Sequence, residues 1–143
     1  MKKFIGTKEV LAEPMVEGIA YANGWARKGA FVDDDHNGRE GYHVQYVNPD
    51  GSTYDSWSPK DVFEKTYKIA DTFVDRLKNE YEELTEKCEK LNRFLEDTKG
   101  DGLKEISTIQ YEMLVRQSQH MNDYRSVLGC RLYELGLQNM NLA

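Results

Sequence analysis

The 143-residue sequence is poor in the residues that build the commonest chemical sites. Its two cysteines, Cys88 and Cys130, give neither a zinc spacing nor a disulfide framework, and both fall in helical patterns as small apolar core thiols. The three histidines, His36, His43 and His120, share no metal-ligand spacing on one helix and join no Ser/His/Asp arrangement. A nucleophile elbow, a glycine-rich phosphate loop and an HExxH segment are all missing. No catalytic residue, metal ligand or cofactor is therefore expected. Positive charge is scarce too. A net charge of −6 excludes duplex nucleic acid held by neutralising many phosphates, although a few clustered arginines can still hold a small anion. No apolar run reaches the length of a membrane span, and the opening MKKFIGTKEV has no signal-type apolar core. A cytoplasmic protein without a membrane partner is expected.

Aromatic residues are plentiful, at 11% with nine tyrosines and two tryptophans, which is enough for a modest core. Residues 3–12, KFIGTKEVLA, read as a strand ended by Pro14, and 15–22 as one or two helical turns closed by Asn23-Gly24. Residues 25–32, with Trp25, Phe31 and Val32, lead back toward a sheet, and 33–41 form a polar loop. GYHVQYV (41–47) alternates, with Tyr42, Val44 and Tyr46 on one side and His43, Gln45 and Val47 on the other. Asn48-Pro49-Asp50-Gly51 is turn chemistry, and STYDSW (52–57) returns as the partner strand of a hairpin. Ser58 then reads as the N-cap of a short helix, with Pro59 at its first position, Asp61 at its third, and Val62 and Phe63 turned inward.

The pattern changes near residue 70. Phe73, Leu77, Leu84, Cys88, Leu91 and Leu95, with Tyr81 beside them, predict one amphipathic helix. Its length is about 28 residues, or roughly 42 Å. After a break at Thr98–Gly102 a second helix runs from near Ser107 to near Leu135. Its stripe is Ile109, Leu114, Gln117, Met121, Tyr124, Leu128, Leu132 and Leu135. A short loop between long helices makes them antiparallel neighbours. The expected fold class is α+β. A small antiparallel N-terminal β-sheet with a short helix (1–68) precedes a long antiparallel two-helix hairpin (69–143), the two forming one integrated unit. A compact monomer of this size is roughly 37 Å across, about the length of each helix. The apolar sides left over are expected to meet another subunit.

Several constellations invite a site. Asp33, Asp35, Asn37 and Gly38 fit the first half of a calcium loop, but its twelfth position is Val44 instead of Glu, so a solvated acidic loop is expected. On the second helix, Gln117 interrupts the apolar stripe, and a buried amide needs a partner across an interface or on a ligand. Arg116 and His120 stack one turn apart beside it, Arg125 lies on a neighbouring face, and Asn92, Arg93 and Phe94 close the first helix. An aromatic, an amide and arginines suit a nucleotide, which needs stacking, edge reading and phosphate donors. A solvated, salt-bridged helix face with Phe94 as a partner contact would use the same residues. Trp57, Ser58 and Lys60 join a strand end to a helix start and form a possible second anion site, or a tryptophan packed on the helices with Ser58 as cap.

IGTKEVLAEPM, EGYHVQYV and DSWSPKDVFEKTY resemble a module of small bacteriophage proteins. YEELTEKCEKLNRFLED and LVRQSQHMNDYRSVLGCRL resemble a phage helical-hairpin domain. Together, over almost the whole chain, they are similar to the phage Thoeris anti-defence sponges, with the helical anti-CBASS sponges as a second family. The resemblance implies a protein that is not an enzyme. It would sequester a cyclic nucleotide immune signal, a cyclic ADP-ribose isomer above all, with cyclic di- or trinucleotides at separate sites in some members. It further implies homo-oligomers, dimers or hexamers, with pockets between subunits, inside an infected bacterial host cell. The family pattern, an aromatic with an amide from one subunit and arginines from the second helix, falls here on Phe94, Asn92, Arg116 and Arg125, with Arg131 able to replace either arginine. Two rivals stand beside it: a phage adaptor or inhibitor of a host protein working through the same helices, and a hydrolase.

Overall fold

Alternation in GYHVQYV builds the central strand of a three-stranded antiparallel sheet in a computed structural model that describes residues 1–27, 38–98 and 106–141, with side chains to 136 in the last segment. The chain divides into two compact units, Met1–Lys68 and Ile69–Ala143. It is an α+β fold, with the small sheet in the first unit and the long helices in the second.

In the first unit, strands β1 (Leu11–Pro14), β2 (Gly41–Val47) and β3 (Thr53–Pro59) lie in the order β1-β2-β3. The register puts Glu13, His43 and Trp57 side by side across the three strands. Gly51, at φ 85°, closes the hairpin by donating to the Asn48 carbonyl at 2.9 Å. Gly41 is required by close approach, since a Cβ there would run into the Trp57 indole and the Ser58 carbonyl. Of the strand expected over 3–12 only Leu11 and Ala12 fall in β1, which continues through Glu13 to Pro14. Residues 1–9 are exposed, as are the four residues of β1 itself, and Gly6 within 1–9 weakens a strand. Pro14 is tolerated because β1 is an edge strand.

Helix α1 (Glu17–Ala22) ends where expected, at Asn23 and Gly24, whose φ is 79°. Helix α2 (Lys60–Thr66) starts one residue later than expected. Ser58 stays in the ladder opposite Tyr42, and Pro59 is the N-cap residue with no side-chain cap bond, so Asp61 takes the second helical position. Phe63 is turned inward, stacked on Tyr42 at 4.3 Å and on Tyr67 at 4.9 Å, whereas Val62 is exposed. On the other face of the sheet the Trp25 indole stacks on His43 at 3.9 Å. Phe31, Val32 and the acidic segment with Asp33, Asp35, His36 and Asn37 lie outside the described residues.

The second unit is a helical hairpin of α3 (Phe73–Asp97) and α4 (Thr108–Asn141). Thr72 caps α3 in a reciprocal box with Asp75, at 3.1 and 2.9 Å. The side chains turned inward on α3 are Val74, Leu77, Tyr81, Leu84, Cys88, Leu91 and Leu95, and its C-cap Thr98 continues the row. On α4 they are Tyr111, Leu114, Ser118, Met121, Arg125, Leu128, Leu132 and Leu135. Both rows step by three and four in strict alternation, the 3.5-residue period of a left-handed coiled coil. The expected α4 stripe is therefore wrong at three places, because Ile109, Gln117 and Tyr124 are exposed. Cys88 is buried as expected, but Cys130 is exposed.

Candidate functional site

Polar groups interrupt the hairpin seam at two levels. At the first, the Ser118 hydroxyl donates to Asn92 Oδ1 at 2.6 Å, and Asn122 Nδ2 donates to the Ser118 carbonyl at 2.8 Å. This rung joins α3 to α4 and satisfies its own buried groups. Phe94 lies two residues beyond Asn92 on α3, about half a turn on, and is 41% exposed. Arg116, Gln117 and His120 flank it on α4, all exposed. Gln117 is therefore not the buried amide of the seam. Its Nε2 reaches only Met121 Sδ, at 3.7 Å. Asn92 and Asn122 carry the half-buried amides instead.

The second level lies roughly 10 Å along the axis, seven residues further at 1.5 Å each. The pairing of Asn92 with Ser118 brings Thr85 level with Arg125. The Thr85 hydroxyl is buried without a hydrogen-bond partner. Arg125 is half-buried, occupies a core position between Met121 and Leu128, and has no carboxylate partner among the described residues. One turn beyond, the Tyr81 ring packs across Gly129, where an added Cβ would lie in van der Waals contact with the ring. The structure thus gathers Asn92, Phe94, Arg116, Gln117 and His120 at one level and sets Arg125 at another. Arg131 is engaged elsewhere, 5.7 Å over the Phe73 ring.

Ser118, Asn122 and Thr85 were not legible as site residues. Small polar residues on a helix carry no ligand signal until the facing helix is known.

In the sheet unit, Trp57 Nε1 donates to the Met15 carbonyl at 2.8 Å. Lys60 pairs with Glu40 at 3.2 Å, a bond that raises its pKa, and Ser58 does not cap α2. Two charged clusters sit nearby. Arg39 forks onto the buried Glu17 carboxylate through Nε at 3.0 Å and Nη2 at 2.9 Å, which holds Glu17 below its ordinary pKa against the effect of burial. His43 bridges Glu13 at 2.9 Å and Asp55 at 2.7 Å. Burial pulls its pKa down, but the two carboxylates outweigh it and the net shift is upward. Among the described residues no group of three His, Cys, Asp or Glu side chains is placed to hold a metal ion. None of the described helices is long and apolar enough to cross a membrane.

Residues 71–134 match the Sequestin family model. The Sequestin match covers α3 and most of α4, both polar levels and every helical residue singled out from the sequence as a site candidate. It leaves the sheet unit outside and supports a sequestering protein for the helical half. No curated protein and no solved structure matches the chain.

Proposed function

We propose that the chain is a phage-encoded immune-evasion protein that binds a cyclic nucleotide immune signal and holds it without degrading it. The ligand is a cyclic ADP-ribose isomer, with cyclic di- and trinucleotides as the wider class. The observation that carries this reading is Arg125. A cation at a half-buried seam position, with no carboxylate partner among the described residues, is costly unless an anion completes it. Thr85 adds an unmatched hydroxyl at the same level, and Arg116 adds a second guanidinium, which is exposed. Phosphates satisfy all three groups, Phe94 supplies a stacking face, and Asn92, Gln117 and His120 supply edge contacts. The Sequestin match over the same helices supports sequestration.

The outer row of α4, with Ile109, Met113, Tyr124 and Val127 exposed, fits a second copy of the chain, in a dimer or hexamer whose subunit contacts enclose the pocket. Stiff helices preorganise such a pocket. A nanomolar dissociation constant, about −12 kcal/mol, is within reach of two charge-assisted phosphate contacts, stacking and a few hydrogen bonds. The same outer row also favours a second reading, an adaptor that docks a host protein.

One experiment separates these readings. The protein is incubated with cyclic ADP-ribose isomers, stripped of free ligand and heat-denatured, and the supernatant is analysed. Intact nucleotide in the supernatant supports sequestration, degraded nucleotide indicates an enzyme, and no nucleotide favours the adaptor. Arg116→Ala and Arg125→Ala should each weaken retention while the oligomer persists.

A further inference from the structure

The sheet unit holds a cavity of about 520 Å³, within the size range of small-molecule sites, that is separate from the helical levels described above. Glu17, Trp25, Arg27, Arg39 and Trp57 are among its walls. Two features make it a built site. Glu17 is a carboxylate whose side chain is only 5% exposed, and it grips the Arg39 guanidinium at two nitrogens. That grip fixes a planar donor 5.4 Å over the Trp57 ring while Nη1 takes no hydrogen bond among the described residues. The second feature is the charge and ring content. Arg27 adds an exposed guanidinium without a partner among the described residues, so the cavity keeps one positive charge after Glu17 and Arg39 cancel. Trp25 gives one ring face to His43 at 3.9 Å and also lines the cavity.

We propose that this cavity is a second ligand site, one that takes a small phosphorylated molecule with a planar ring, of the mononucleotide class. The ring stacks on Trp25 and the phosphate lies between Arg27 and the free edge of Arg39. An acidic peptide would use the arginines but leave the indoles without a ring partner.

Trp25 and Trp57 are the chain's two tryptophans, so fluorescence excited selectively at tryptophan, not at the nine tyrosines, reports on this cavity. The full chain is titrated with AMP, adenosine and inorganic phosphate. AMP should give a saturable fluorescence change, and adenosine and phosphate should each bind at least about tenfold more weakly, the loss expected from one missing charge-assisted or stacking contact. Arg27→Ala should weaken AMP by at least about tenfold with an unchanged unfolding midpoint. Arg39→Lys, which keeps a cation beside Glu17 but loses the fork, should weaken it as well. Arg116→Ala and Arg125→Ala should leave the titration unchanged, which separates this site from the helical one. A flat AMP titration, adenosine or phosphate binding as well as AMP, or a normal titration by Arg27→Ala would overturn the proposal.

Discussion

Replacing Leu128 with alanine tests which face of α4 lies inside. Leu128 is 0% exposed and packs with Leu77, Leu84 and Cys88. Truncating a buried leucine costs about 2–5 kcal/mol, depending on how far the surroundings collapse. Tyr81, Met121 and Leu132 at the margin of this cluster are only partly buried, so they can relax into the space. The expected cost is therefore about 2–3 kcal/mol, a roughly 30- to 150-fold loss in the folding equilibrium. Val127, one residue earlier, is 56% exposed, and Val127→Ala should stay within about 0.5 kcal/mol. Urea unfolding followed by far-UV ellipticity reads the helices, while tryptophan fluorescence reads the sheet unit separately. The measurement is made at two protein concentrations, because loss of a subunit contact depends on concentration and loss of hairpin core does not. Equal costs for the two variants, or a Leu128→Ala cost below about 0.5 kcal/mol, would refute the inward row.

Three further outcomes follow from the geometry. Ser118→Ala removes the donor to Asn92 Oδ1 and should cost about 1–2 kcal/mol by the same ellipticity assay, with Asn92→Ala no worse. Gly41→Ala forces a methyl group against Trp57 and Ser58, and should cost about 1–3 kcal/mol in a fluorescence-monitored unfolding curve. The third concerns pH. The folded pKa of His43 is raised, so its contribution is complete below about 6.5 and is lost as pH rises through the folded value. The bond from His43 lowers Asp55 against the effect of burial, so that contribution is present above about 3.8 and is lost as pH falls through the lowered value. The stability difference between wild type and His43→Gln should then be greatest between about pH 3.8 and 6.5, and a difference flat across pH would contradict the bridge.

The elements whose sequence carries its own geometry were legible. The hairpin of β2 and β3 follows from strict alternation around Asn48-Pro49-Asp50-Gly51, and both long helices follow from apolar spacing. The inward face of α4 was not legible, for a reason of arithmetic. Between Leu114 and Met121 both Gln117 and Ser118 satisfy steps of three and four, and between Met121 and Leu128 so do Tyr124 and Arg125. Hydropathy favours Tyr124 over Arg125 and does not separate the first pair clearly. Contact with α3 decides instead, because Ser118 meets Asn92. The same contact splits the candidate residues into two levels, which spacing along one helix could not show. In the sheet unit, Ser58 and Pro59 looked like a helix start because their types suit a cap, but ladder pairing with β2 kept them extended. Glu17 and Arg39 are 22 residues apart and were invisible as a pair.

A seam that repeats every seven residues has a weakness that its leucines cannot cure. Slide one helix past the other by a heptad, and apolar side chains still face apolar side chains. Asn92 and Ser118 break that degeneracy, because the hydrogen bond between them forms in only one setting of the two helices. The rung is a key cut into an otherwise repetitive lock. It fixes the distance along the hairpin between Arg116 and the residues of α3, and any slid arrangement leaves an amide or a hydroxyl unmatched.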